Sequence, residues 1–228
     1  MTGETGLQRV RVWDLPTRVF HWVLALTVVA AVVTAKIGGN AMEWHLRCGL
    51  LVMALLMFRL VWGLVGGYWS RIAAFVYSPR TVRAYWRGDA GPGGRYAVGH
   101  SPTGAWSVFA MLVLLFVQVA TGLVADDEIA TTGPLNRFVS SALAGRASAW
   151  HASGGQWLVY LLVAAHIGAV LYYLRRKKTD LIQPMLRGDK MLPAGTPASR
   201  DGAGTRLLAV AIALATVLAA WSVGRLGN

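Results

Sequence analysis

The sequence predicts an all-α membrane protein: a four-helix transmembrane bundle with a fifth helix at the C-terminus. Three observations carry this reading. The 228 residues are 55% hydrophobic and only 14% charged, with a mean hydropathy of +0.49, whereas a soluble domain of this size needs more charge on its surface. The apolar residues gather into five runs, each close to the ~20 residues that cross a bilayer at ~1.5 Å per residue. The 22 lysines and arginines flank those runs instead of forming one stripe, so the formal net charge of +12 reads as membrane topology and excludes a nucleic-acid footprint.

Residues 1–17 form a polar N-terminal segment, and the helix after it carries His21, so no cleavable signal peptide is expected. The first span runs from about Arg18 to Ile37 and ends at Gly38-Gly39-Asn40; the second runs from about Met42 to Val65 and ends at Gly66-Gly67. The stretch Trp69 to Trp86 mixes Arg71, Phe75, Tyr77 and Tyr85, a basic and aromatic composition suited to the membrane interface. Gly88 to Gly99, with its Gly-Pro-Gly-Gly run, reads as a turn or loop. Ser101-Pro102-Thr103 opens the third span, about Gly104 to Ala125. The fourth, about Trp150 to Leu174, stops at Arg175-Arg176-Lys177-Lys178. Leu192 to Thr205 is a Pro/Gly/Ala-rich linker, and the fifth span, about Leu207 to Val223, contains no histidine. The expected organisation is a four-helix core over residues 18–180, a linker over 181–205 and an added helix over 206–228.

Basic residues set the orientation. With the N-terminus inside, 17 of the 22 lysines and arginines fall on the inner half, Arg59 included, and Arg71, Arg80, Arg83, Arg87 and Arg95 all lie on one inner loop. The outer loop between the third and fourth spans instead holds Asp126, Asp127 and Glu128, a surface for a positively charged donor or simply a solvated loop.

Four of the five histidines lie on these spans, and an ionisable group in hydrocarbon is expensive unless partnered. His21 lies near the inner end of the first span, while His45 and His151 lie near the outer ends of the second and fourth. His166 follows His151 by 15 residues, hence about 22 Å deeper and about 60° round the helix, level with His21. Depth therefore pairs His21 with His166 and His45 with His151. Each pair can ligate one iron axially, so two non-covalently held haems fit a four-helix bundle. The single cysteine, Cys48, excludes a CxxCH attachment and an internal disulfide, and reads as packing. Gly49, Thr121-Gly122, Gly154, Gly155 and Gly168 lie near these histidines and leave room for a flat macrocycle, although glycine also serves ordinary helix packing. Zinc asks for more ligands than a pair offers, and a proton relay asks for intramembrane carboxylates, of which Glu43 at the outer boundary is the sole candidate.

Three arginines are candidates to neutralise haem propionates through paired hydrogen bonds. Arg18 is one turn before His21 and doubles as a membrane-flanking charge; Arg59 lies deep on the second span; Arg47 is two residues after His45. His100, at the inner boundary before the third span, reads as a helix-entry residue, with a propionate or quinone contact as the alternative.

Several stretches together resemble the bacterial cytochrome b561-type family and the b-type cytochrome subunits of nickel–iron hydrogenases. They are Val12-Trp13-Asp14-Leu15-Pro16-Thr17-Arg18-Val19-Phe20-His21-Trp22, Trp44-His45 with Gly49, Phe58-Arg59-Leu60-Val61-Trp62-Gly63, and His100-Ser101-Pro102-Thr103-Gly104, with His151 and His166 completing the pattern. The resemblance covers most of residues 10–180. It implies a four-helix core holding two haem b groups with the pairing His21/His166 and His45/His151, in the bacterial inner membrane; the cytoplasmic N-terminus is what the basic residues predict. It also implies electron transfer between an outer-face partner (a cytochrome c, a dehydrogenase or a hydrogenase subunit) and the quinone pool. Bis-histidine ligation leaves no open position on iron and favours electron transfer over chemistry at the metal. A stand-alone superoxide:quinone oxidoreductase, fed through a basic funnel at Lys36 and Arg47, is the alternative. The fifth helix departs from the simplest members of the family.

Overall fold

A computed structural model describes residues 6–89, 95–127 and 131–227. Its elements are β1 (Leu7–Arg11), α1 (Leu15–Ile37), α2 (Met42–Val65), α3 (Pro79–Arg87), α4 (Arg95–Val98), α5 (Pro102–Val124), α6 (Ser141–Ala149), α7 (Gly155–Arg175), α8 (Ile182–Arg187), β2 (Asp189–Pro193) and α9 (Ala203–Gly224). A π turn over Trp150–Gly154 joins α6 to α7 without a break. Five helical stretches are long and apolar enough to cross a membrane: Leu15–Ile37, Gly39–Val65, Pro102–Val124, Ser141–Arg175 and Ala203–Gly227. Their outward side chains are apolar, with Leu26, Leu64 and Leu207 each about 70% exposed. Such surfaces need lipid or protein against them, not water. The protein is a multi-pass, all-α membrane protein.

The chain forms two compact units, and all five long helices contribute residues to both. The first unit takes the chain up to Val19, Leu60–Phe109 and His166–Val210. In it β1 and β2 pair antiparallel, from Leu7 opposite Pro193 to Arg11 opposite Asp189. Val10, Val12 and Trp13 pack with Trp69, Val98 and Leu192 in its apolar core. Beside this core the carboxylate of Asp14 is fully buried and accepts four hydrogen bonds, from Thr17 N–H (2.8 Å), Trp62 Nε1–H (3.2 Å), Gly67 N–H (3.0 Å) and Ser70 Oγ–H (2.7 Å). Asp14 thereby caps α1 and ties its start to the end of α2, since an N-cap carboxylate satisfies the orphan donors of the first turn. Gly67 is required there, because a β-carbon would overlap the Asp14 carboxylate.

Ser199 closes the same region by donating to Val12 O (2.7 Å) and accepting from Trp69 N–H (3.2 Å). Asp201 lies between Arg11 (3.1 Å) and Arg206 (3.1 Å) and accepts from Leu15 N–H (3.1 Å). Burial alone would raise its carboxyl; Arg206, the Leu15 N–H and Arg11 outweigh that and hold it below the usual carboxylate range. The segment 181–205 is therefore no free linker. It contains α8 and β2 and is hydrogen-bonded to the N-terminal segment at both the strand and Ser199.

The remaining differences from the sequence expectation are local. α4 lies within the expected loop Gly88–Gly99, whose residues 90–94 fall outside the described part. The interfacial stretch after α2 folds as two short 3₁₀ turns and the amphipathic α3, which Ser78 caps at Thr81 N–H and Pro79 opens. The fourth span begins at Ser141, not Trp150, because the alanine-rich run Ser141–Ala149 is a strong helix former and Ser140 caps it at Leu143 N–H (3.3 Å).

The second unit takes Phe20–Arg59, Ala110–Ala165 and the chain from Ala211. Phe20 stacks on Phe58, Lys36 donates to Gln156 Oε1 (3.3 Å), and Gly224 of α9 sits against the Leu50 side chain of α2, which a β-carbon there would displace. Ser148 Oγ accepts Asp126 N–H and the Asp127 carboxylate accepts Thr131 N–H, each at 2.8 Å. Glu128, the third residue of the acidic loop, lies outside the described residues.

Candidate haem-binding site

The second unit brings together one of the two histidine pairs read from depth. His45, in the first turn of α2, and His151, in the π turn, have ring centroids 5.8 Å apart with planes at 81°. His45 Nδ1 lies 2.8 Å from the carbonyl of Ala31 on α1, and His151 Nδ1 lies 2.9 Å from the carbonyl of Gln118 on α5. A carbonyl can only accept, so each ring donates from Nδ1 and keeps its lone pair on Nε2. A metal-ligating histidine shows this arrangement almost without exception: the far nitrogen donates to a carbonyl or carboxylate, which fixes the tautomer and orients the ring. Two imidazoles sharing one metal at the ~2 Å of an imidazole–metal bond have centroids about 6 Å apart, so the observed spacing fits a single ion between them.

Glycines shape the surroundings. A β-carbon at Gly122 would lie 2.8 Å from His151 Cε1, so the imidazole rests directly on the α5 backbone. A β-carbon at Gly49, one turn after His45, would meet nothing within 4 Å. That open face is what a flat macrocycle needs beside its ligand. Among the described residues no group of three or more His, Cys, Asp or Glu converges, so a zinc set of ordinary size is not assembled.

The other candidates are placed as follows. His21 stands edge-on to Trp22, with ring centroids 5.1 Å apart, and belongs to the second unit; His166 is half-buried on α7 and belongs to the first. Arg59 is buried on α2, 4% exposed. Arg18 donates to Leu186 O (2.6 Å), and Asp201 stands 4.0 Å away. Arg47 pairs with Glu43 one turn earlier and lies over the Trp44 ring, on an exposed face. His100 packs between Trp13 (4.8 Å) and Phe75 (4.5 Å), and its backbone carbonyl accepts from Tyr77 OH (3.1 Å). Sequence reasoning missed Gln118, a lone amide in an apolar span and for that reason visible, and it missed the π turn, which leaves no sequence mark.

The profile of the prokaryotic cytochrome b561 family matches residues 12–188. The chain belongs to this family. Three relatives carry the name probable Ni/Fe-hydrogenase B-type cytochrome subunit. That of Rhizobium leguminosarum bv. viciae is 23% identical over 227 residues, covering 83% of this chain and 92% of the relative. That of Cupriavidus necator is 24% identical, covering 80% and 87%, and that of Bradyrhizobium diazoefficiens is 21% identical, covering 83% and 90%. No solved structure matches the chain. As a cytochrome b561, the protein is a membrane b-type cytochrome that takes part in electron transfer, and haem b is its cofactor.

Proposed function

We propose that this cytochrome carries electrons between a partner on the outer face of the bacterial inner membrane and the quinone pool, using two haem b groups. His45 and His151 hold the outer haem, and His21 and His166 hold the inner one. The observation that carries this reading is the His45–His151 pair, two facing imidazoles whose Nδ1 atoms are both committed to backbone carbonyls. Haem b, when bound, would supply one-electron exchange, with the histidines named above holding it. The chain's own part is to fix the imidazoles, keep the site apolar and neutralise propionates. Arg59, buried on α2, is a candidate to hold a propionate.

A hydrogenase is the partner class favoured by the relatives' names. The superoxide:quinone alternative asks for an uncompensated cationic entry at the outer haem; the ion pair of Arg47 with Glu43 weighs against it, whereas Lys36, bonded to the neutral amide of Gln156, keeps its charge. The basic residues favour a cytoplasmic N-terminus. The test is haem quantitation with a reduced-minus-oxidised spectrum of purified protein. Two haems per chain and a b-type α band are expected, and a ratio of one or the absence of the band would sink the di-haem reading. Reduction of the purified protein by the enzyme it co-purifies with, followed by reoxidation with a short-chain quinone, tests the direction and the acceptor.

A further inference from the structure

We infer that Gln118 is a positioning residue for the outer haem, holding His151 through both its backbone and its side chain; this rests on His45 and His151 being the ligands. In an α-helix the N–H of Gly155 would bond the carbonyl of His151. Here it reaches Trp150 instead, five residues back, so the ladder slips at the ligand and leaves the His151 carbonyl without its ordinary helical donor. Gln118 Nε2 takes over that role, donating to His151 O at 3.2 Å. The backbone carbonyl of the same residue accepts from His151 Nδ1–H at 2.9 Å. One residue of α5 therefore grips the ligand at its main chain and at its ring.

Two glycines make the grip possible. Gly155 lies against the carboxamide, and a β-carbon there would overlap Gln118 Oε1. Gly122, one turn after Gln118, lets the imidazole lie on the helix. Thr121 Oγ1 stands 3.4 Å from Nδ1 and itself donates to Val117 O at 2.7 Å, so it is a weaker partner of the ring than the Gln118 carbonyl. A half-buried glutamine in an apolar span is costly unless its amide bonds are made; here Nε2 has its acceptor, while the buried Oε1 has no hydrogen-bond partner among the described residues. The slipped carbonyl of the π turn, which has lost the Gly155 N–H, is free to take that bond from Nε2.

The function of the arrangement is to set the direction of the His151 ring and the strength of its Nδ1–H bond. A stronger bond at Nδ1 makes the imidazole more basic, which favours the ferric state and lowers the potential of the iron it ligates. Removing the carboxamide frees the π turn, turns the ring and weakens that bond.

The test compares wild type, Gln118→Met and Gln118→Asn, whose shorter amide falls back from the His151 carbonyl, with His45→Ala as a reference that retains only the inner haem. Haem content, the low-spin electron paramagnetic resonance signal and the midpoint potential of each haem are read. In both Gln118 variants the outer-haem signal is expected to shift and its potential to rise, with the inner haem unmoved; loss of the outer haem alone also supports the proposal. Unchanged signal and potential in the two variants, with both haems present, overturn the proposal and leave the ligand assignment standing. Loss of both haems in both variants overturns it as well, since the effect is then a general one. Two haems in His45→Ala overturn the ligand assignment and the proposal with it.

Discussion

His45 and His151 stand edge to face, 5.8 Å between ring centroids, each with its Nδ1 proton on a backbone carbonyl. Such a pair has only Nε2 left to offer, and under the proposed ligation both Nε2 atoms would serve the outer haem. His45→Ala is therefore expected to abolish the outer haem while the inner haem keeps its spectrum. Haem quantitation at equal protein yield checks this. Loss of both haems would argue against independent sites. Because the planes lie at 81°, the lost signal is expected to be a highly anisotropic low-spin species.

His100 is held differently. Its ring is sandwiched by Trp13 and Phe75, and Tyr77 OH binds its backbone carbonyl. This is packing at the entrance of α5. His100→Ala is expected to keep both haems and to lower thermal stability by about 1–3 kcal/mol, as the loss of a half-buried ring does when neighbours partly close the gap. A fall to one haem per chain would make His100 a ligand and displace the proposed pairing.

The legible part of this protein is the part fixed by hydropathy. The boundaries of α2 coincide with the expected ones, and those of α1 and α5 are displaced by two or three residues at the N-terminal end, because Asp14 and Ser101 each cap a helix at an earlier turn. The closeness of the His45 and His151 rings agrees with their matched depth in the sequence. What stayed hidden depends on partners far apart in sequence. The alternation Arg9-Val10-Arg11-Val12 is a strand pattern, but its partner lies some 180 residues away, so nothing local identifies it. The π turn is a one-residue slip that α-periodic reasoning cannot register, and it falls on the very residue whose direction matters.

Asp14 is the buried knot of the first unit. Four donors converge on its two oxygens, and Ser70 in turn accepts from Thr17 Oγ1 at 2.7 Å. Removing the carboxylate leaves Trp62 Nε1–H and Gly67 N–H with no acceptor there, at roughly 1–3 kcal/mol for each buried group left unsatisfied. Asp14→Ala is expected to destabilise the haem-loaded protein by about 3 kcal/mol or more. Asp14→Asn should fall between, since one amide oxygen still accepts and the amide nitrogen does not. Thermal loss of the b-type α band in detergent measures both. Wild-type stability in the alanine variant would show that the network is idle.

Lys190 supplies a pH test outside the membrane-spanning helices. Its ammonium is largely buried and donates to the carbonyls of Ala97 (3.2 Å) and Val98 (2.7 Å), and burial pushes its pKa down to about 8. In the unfolded chain the same amine titrates near its ordinary ~10.4. Between these values the unfolded state holds the extra proton, so stability rises as pH rises through that window and the full penalty of the buried charge applies below it. Thermal unfolding of wild type and Lys190→Met from about pH 7.5 to about pH 9.5 reads the difference. The wild type should gain stability on the variant as pH rises. Above that range Tyr85, pushed up to about 12 by burial and by the Tyr173 hydroxyl 3.2 Å away, acts with the opposite sign, because its folded form keeps the proton longer. Parallel curves for the two proteins would mean that Lys190 is solvated in the native state, and the contact with Ala97 and Val98 would then carry no charge penalty.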